Sequence, residues 1–90
     1  MTERIVTVPN KLGIHARPAA MIVRAAVEFD CEIWVESPAD KVNAKSIMGV
    51  MTLAASGGTA ITVSAEGTDE TEAVEAIIKV VRSGFGEEMI

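Results

Sequence analysis

Histidine and cysteine each occur once in this 90-residue chain, tyrosine is absent, and one tryptophan with two phenylalanines makes up the aromatic content. One cysteine closes no intrachain disulfide and assembles no thiolate zinc site, so no metal and no other cofactor is expected. Cys31 lies between Asp30 and Glu32, charges that disfavour a thiolate, so its expected role is that of a small buried hydrophobe. Few aromatics means few platforms for stacking bases, and a net charge of −5 opposes a phosphate backbone. Nucleic acid is therefore not an expected partner. No apolar run is long enough to span a bilayer, and Met1-Thr2-Glu3-Arg4-Ile5 lacks the charged-then-apolar pattern of a signal peptide. The expectation is a soluble, cytoplasmic protein without direct membrane insertion.

What is present points to a folded domain. Hydrophobic residues make up 49% of the chain, which argues against disorder, and the length suits one domain over residues 1–90. The charge is unevenly spread. Residues 1–48 carry six basic groups (Arg4, Lys11, Arg17, Arg24, Lys41, Lys45) and six acidic ones, whereas residues 49–90 carry two basic groups against seven acidic ones. A local basic patch that meets an acidic protein surface is compatible with this split.

The β-branched run Ile5-Val6-Thr7-Val8, closed by Pro9-Asn10, predicts a first strand and a turn. From Ala16 to about Phe29, Ala19, Ile22, Val23, Ala26 and Val27 recur at helical spacing. Glu32–Glu36 alternates as a second strand, and Ser37-Pro38-Ala39-Asp40 turns into a short third strand around Val42. Ile47, Met48, Val50 and Met51 predict a short apolar helix with Ser46 as its N-cap. Beyond the Ser56-Gly57-Gly58 break, Ala60–Glu66 is a fourth strand. Asp69 and Glu72 have capping-box spacing ahead of a helix whose face is Ala73, Val74, Ile77, Val80 and Val81 and which ends near Gly84. The order β-α-β-β-α-β-α predicts an α+β open-faced sandwich, in which connection rules give a four-stranded antiparallel sheet of order 1-4-2-3 with three helices on one face.

Chemistry concentrates in Gly13-Ile14-His15-Ala16-Arg17-Pro18-Ala19-Ala20. Gly13 frees the backbone, Pro18 is tolerated only in a first helical turn, and His15 thus falls where a loop becomes a helix. A helix start offers free N–H groups and the positive end of the dipole, so a phosphoryl group on His15 would meet donors already in place. Arg17 adds a permanent charge with a planar fork of donors. Neutral imidazole is both a nucleophile and a good leaving group once phosphorylated.

Together, G-I-H-A-R-P-A-A and N-A-K-S-I-M-G-V-M-T-L resemble the histidine-containing phosphocarrier (HPr) family of the bacterial phosphotransferase system, over essentially the whole chain. The resemblance implies a carrier rather than an independent enzyme. In the family, enzyme I passes a phosphoryl group derived from phosphoenolpyruvate to the histidine Nδ1, and enzyme IIA domains receive it for sugar transport. It thus assigns the acceptor role to His15, phosphate stabilisation to Arg17 and regulatory phosphorylation by an HPr kinase/phosphorylase to Ser46. Any Mg²⁺ belongs to the larger enzymes.

The resemblance also implies a docking face formed by the short helix and the start of the first one. Met48 belongs to it; Ile47 and Met51 fit a core role equally well; and Arg17, Arg24, Lys45 and Lys11 would ring it with charge. Methionine suits a surface that accepts several partners. The expected state is a monomer. His15 argues against the catabolite-repression paralogue that lacks the histidine. The alternative is a nitrogen-type or regulatory paralogue that acts mainly as a phosphorylation-dependent binding module.

Overall fold

The computed structural model describes residues 1–90 and shows why the apolar periodicities fall where they do. Strand β1 is Thr2–Thr7, helix α1 Ala16–Ala26, β2 Glu32–Glu36, β3 Lys41–Asn43, α2 Ile47–Met51, β4 Ala60–Glu66 and α3 Glu70–Arg82, followed by a 3-10 turn at Gly84–Gly86. The four strands form one antiparallel sheet in the order β1-β4-β2-β3, as the connection rules required.

Alternation sets the two faces of this sheet. Val6, Ile33, Val35, Ile61, Val63 and Ala65 point to the helices and are buried, whereas Ile5 on the opposite face is exposed. Helix α1 meets them with Pro18, Ala19, Ile22 and Ala26, and α3 with Ala73, Val74, Ile77, Ile78 and Val81. Apart from Pro18, these side chains belong to a cluster of 22 buried hydrophobic residues in which Cys31 is included, in the role expected for it. Burial pushes the Cys31 thiol up to about 11, with Asp69 adding to the effect.

Three local expectations are corrected. Helix α1 ends at Ala26 rather than near Phe29, so Val27 is its C-cap and is 53% exposed instead of facing the core. The first strand starts earlier, at Thr2, because β4 supplies partners from Ala60 to Ala65. No capping box forms at α3: the Asp69 side chain makes no cap bond there but accepts from the backbone N–H groups of Asp30 (2.9 Å) and Cys31 (3.1 Å). Glu70 replaces it, accepting from Gly67 N at 3.2 Å and from Thr2 Oγ1 at 2.6 Å. A long-range partner thus displaces the local capping bond.

Candidate functional site

His15 is the N-cap of α1, with an extended backbone and no side-chain cap bond. Its carbonyl accepts the first helical bond, from Ala19 N at 2.9 Å, so the N–H groups ahead of Ala19 are free of helical partners. Pro18 falls among those positions, where its missing N–H costs nothing. The turn into the site depends on Gly13, which has φ +71; a Cβ there would collide with the Ala55 carbonyl oxygen and with Ser56 Cα. Ile14 N donates to the Ala55 carbonyl at 2.8 Å and ties the loop to the chain that follows α2.

The ring of His15 is 40% exposed, and its Nε2 lies 2.7 Å from Glu87 Oε2, whose side chain is only 14% exposed. The hydrogen bond from His15 holds the Glu87 carboxyl below the usual range, aided by a bond from Asn10 and by the charges of His15 and Arg17. A carboxylate can only accept, so the proton in this contact sits on Nε2, and in the neutral ring Nδ1 keeps its lone pair. Arg17, exposed in the first turn of α1, supplies positive charge to the same corner.

Neither Glu87 nor Asn10 is distinguished by the sequence, because Glu87 lies 72 residues from His15. The chain beyond α3 brings it there. Gly84 and Phe85 both adopt positive φ, and the Phe85 ring is fully buried, which offsets the cost of a left-handed non-glycine residue. Past this anchor the tail pairs with the loop ahead of the site: Lys11 N donates to Glu88 O at 2.9 Å, Ile90 N to Pro9 O at 2.8 Å, and Asn10 bridges Met89.

The expected docking residues divide between two flanks of α1. On one flank, α2 exposes Ile47 (46%), Met48 (79%) and Met51 (44%), which resolves the open choice for Ile47 and Met51 in favour of surface. Leu12, which the sequence reading passed over, is 73% exposed in the His15 loop. On the other flank, Arg24 lines a groove against α3 with Met21, Ala25, Glu28 and Val80. Lys45 is not beside His15. Its Nζ donates to the Phe29 carbonyl at 2.6 Å, beyond the C-terminal end of α1. Ser46 caps α2 as expected, accepting from Gly49 N at 3.1 Å.

Residues 2–83 match the family model described as the PTS HPr component phosphorylation site. The HPr-like protein Crh of Halalkalibacterium halodurans is 51% identical over 81 residues, covering 90% of this chain and 96% of its own length. The phosphocarrier protein HPr of Treponema pallidum is 47% identical, covering 98% of this chain and 100% of its own. In three dimensions, the crystal structure of HPr-C-His from Thermoanaerobacter tengcongensis superposes with a TM-score of 0.92 at 50% identity, covering 99% of this chain and 100% of that one. A lone histidine at a helix start, with one nitrogen bound and the other open, is thus set in a fold and a sequence shared with known phosphocarriers: the chain belongs to the HPr family of the phosphotransferase system.

Proposed function

We propose that His15 Nδ1 is the phosphoryl acceptor of this phosphocarrier, that enzyme I is the donor, and that enzyme IIA domains are the recipients. The observation that carries the assignment is the 2.7 Å contact between His15 Nε2 and Glu87, which leaves Nδ1 as the nucleophilic nitrogen. The Nδ1 lone pair attacks phosphorus, an N–P bond forms, and the donor's bond to phosphorus breaks. The Nε2 proton stays on the ring facing Glu87, which stabilises the positive charge that the imidazole acquires. In the return step the N–P bond breaks and its electron pair goes back to Nδ1. No proton has to leave or enter, so little machinery is needed beyond positioning and charge stabilisation. Arg17 and the free N–H groups of α1 supply the latter.

The docking face in this reading is the exposed α2 surface with the loop at Leu12, edged by Arg17 and Lys11. Such a basic and apolar face fits acidic, apolar partners. In this reading the carrier is a monomer that moves between partners in the cytoplasm. No helix is long and apolar enough to cross a membrane. Ser46 adds a regulatory reading, favoured by its place as the cap of α2, the helix that exposes Met48: a phosphate there would stand at the edge of the docking surface. A kinase of the HPr kinase/phosphorylase type would be the partner.

Incubation with enzyme I and phosphoenolpyruvate tests the assignment. The wild-type chain is expected to gain an acid-labile phosphoryl group, and His15→Ala to gain none while keeping its melting temperature within a few degrees, since His15 is outside the core. Undiminished labelling of His15→Ala would overturn it.

A further inference from the structure

Asn10 is completely buried, yet it belongs to a turn and not to the hydrophobic core. Its Nδ2 donates to the Gly13 carbonyl at 2.8 Å and to Glu87 Oε1 at 3.0 Å, while its buried Oδ1 meets no donor of the protein. A buried acceptor without a protein donor is unfavourable, so something else must hold the side chain this way round. The Gly13 carbonyl does. It also accepts from His15 N at 3.1 Å, and turning the Asn10 amide over would set Oδ1 against two acceptors. The end of Asn10 that faces the site is therefore always a donor.

We propose that Asn10 is a positioning residue for phosphoryl transfer: its donor end holds the side chain at position 87 against His15 and fixes that an acceptor faces Asn10, so that only a group accepting at both ends, as the Glu87 carboxylate does, leaves the proton on Nε2. The inference rests on the reading of His15 Nδ1 as acceptor. A group between Asn10 and His15 must accept on its Asn10 side. Glu87 accepts at both ends, so its second oxygen demands a proton on Nε2 and leaves Nδ1 unprotonated in the neutral ring. An amide in the same place has one end of each kind. Held by Asn10, a glutamine would turn its oxygen to Asn10 and its NH₂ to Nε2. The ring would then carry its proton on Nδ1, the atom that has to attack.

This ordering makes Glu87→Gln the damaging substitution, although it is the more conservative one. The experiment compares wild type, Glu87→Ala, Glu87→Gln and Asn10→Ala/Glu87→Gln. Ring ¹⁵N shifts of His15 are read at a pH where the imidazole is neutral, and single-turnover transfer from phosphorylated enzyme I is measured beside them. Glu87→Gln is expected to show the Nδ1–H tautomer and to transfer at least about tenfold more slowly than Glu87→Ala. Asn10→Ala added to it releases the glutamine to rotate, and both tautomer and rate are expected to return toward those of Glu87→Ala. A merely structural Asn10 would slow the double variant further instead of rescuing it. If Glu87→Gln and Glu87→Ala share tautomer and rate, or if the double variant shows no rescue, the proposal is overturned. Should the double variant not fold, the comparison between the two single variants, both of which keep Asn10, still decides. Absence of any labelling of the wild-type chain would instead overturn the acceptor assignment itself.

Discussion

At the residue scale, the site is economical: one imidazole, one guanidinium and one carboxylate, with a helix start between them. His15 takes its chemistry from what surrounds it, since Glu87 occupies Nε2 and Arg17 lends charge at the same corner. Arg17 can offer a phosphoryl group two parallel bonds as well as a charge. Arg17→Ala is therefore expected to lower the transfer rate by about tenfold or more, in the range seen when one donor to a developing anion is removed. Arg17→Lys restores the charge without the fork and is expected to recover only part of the loss. Rapid-quench transfer measurements on the three proteins check this, and equal rates would remove Arg17 from the phosphate's surroundings. Cys31, by contrast, takes no part. Its thiol, raised to about 11 by burial, is expected to stay unmodified by an alkylating reagent at mildly alkaline pH until the chain is unfolded.

At the scale of the element, α2 is the part whose two ends do different things. Lys45, just ahead of it, reaches the Phe29 carbonyl; the chain beyond it packs on Gly13 and Ile14, so α2 runs alongside α1 in the opposite sense. Ser46 satisfies one donor of a helix only five residues long. Removing that cap in Ser46→Ala is expected to cost about 1 kcal/mol. Ser46→Asp keeps an acceptor and adds a charge favourable to the helix start, so its melting temperature is expected to stay level or rise slightly. Its apparent KM for enzyme I is expected to rise, because the added charge faces a surface suited to acidic partners. A thermal melt and steady-state transfer on one preparation check both halves. Unchanged enzyme I kinetics would remove the electrostatic role of Ser46.

At the scale of the whole molecule, three carboxylates tie distant segments together. Asp69 joins the start of α3 to the backbone at Asp30 and Cys31; Glu70 holds Thr2, Gly67 and the N-terminal amine; Glu87 joins the C-terminal tail to His15 and Asn10. Hydrogen bonds hold all three below their ordinary range: chiefly the Asp30 N–H for Asp69, the Thr2 hydroxyl for Glu70 and the His15 ring for Glu87. A lowered folded value means that the unfolded chain binds more protons in the window between the two values. The stabilisation is therefore complete above the ordinary carboxylate range and is lost as pH falls through the folded values. Melting temperature is expected to fall across that acidic window, and Asp69→Asn is expected to flatten the dependence. Melts of the two proteins over a series of acidic buffers check it.

How much of this was legible beforehand depends on whether the physics involved is local. Helix and strand periodicities, Gly13 in the turn, Pro18 in the first helical turn and Ser46 at the cap are settled by neighbours within a few positions, and the structure has them where the sequence put them. Right-handed connection then leaves few sheet orders, of which 1-4-2-3 is the one found. The failures share a cause. Asp69 left its expected cap for Asp30 and Cys31, and Val27 fell outside a helix that stopped early. Each was decided by a partner across the fold or by where packing ran out. The sequence alone determined that His15 would stand at a helix start with Arg17 beside it. Only the tertiary structure decided which ring nitrogen is free, because Glu87, bonded by Asn10, meets His15 through pairing of the tail with the loop, and no local spacing encodes a contact made across 72 residues.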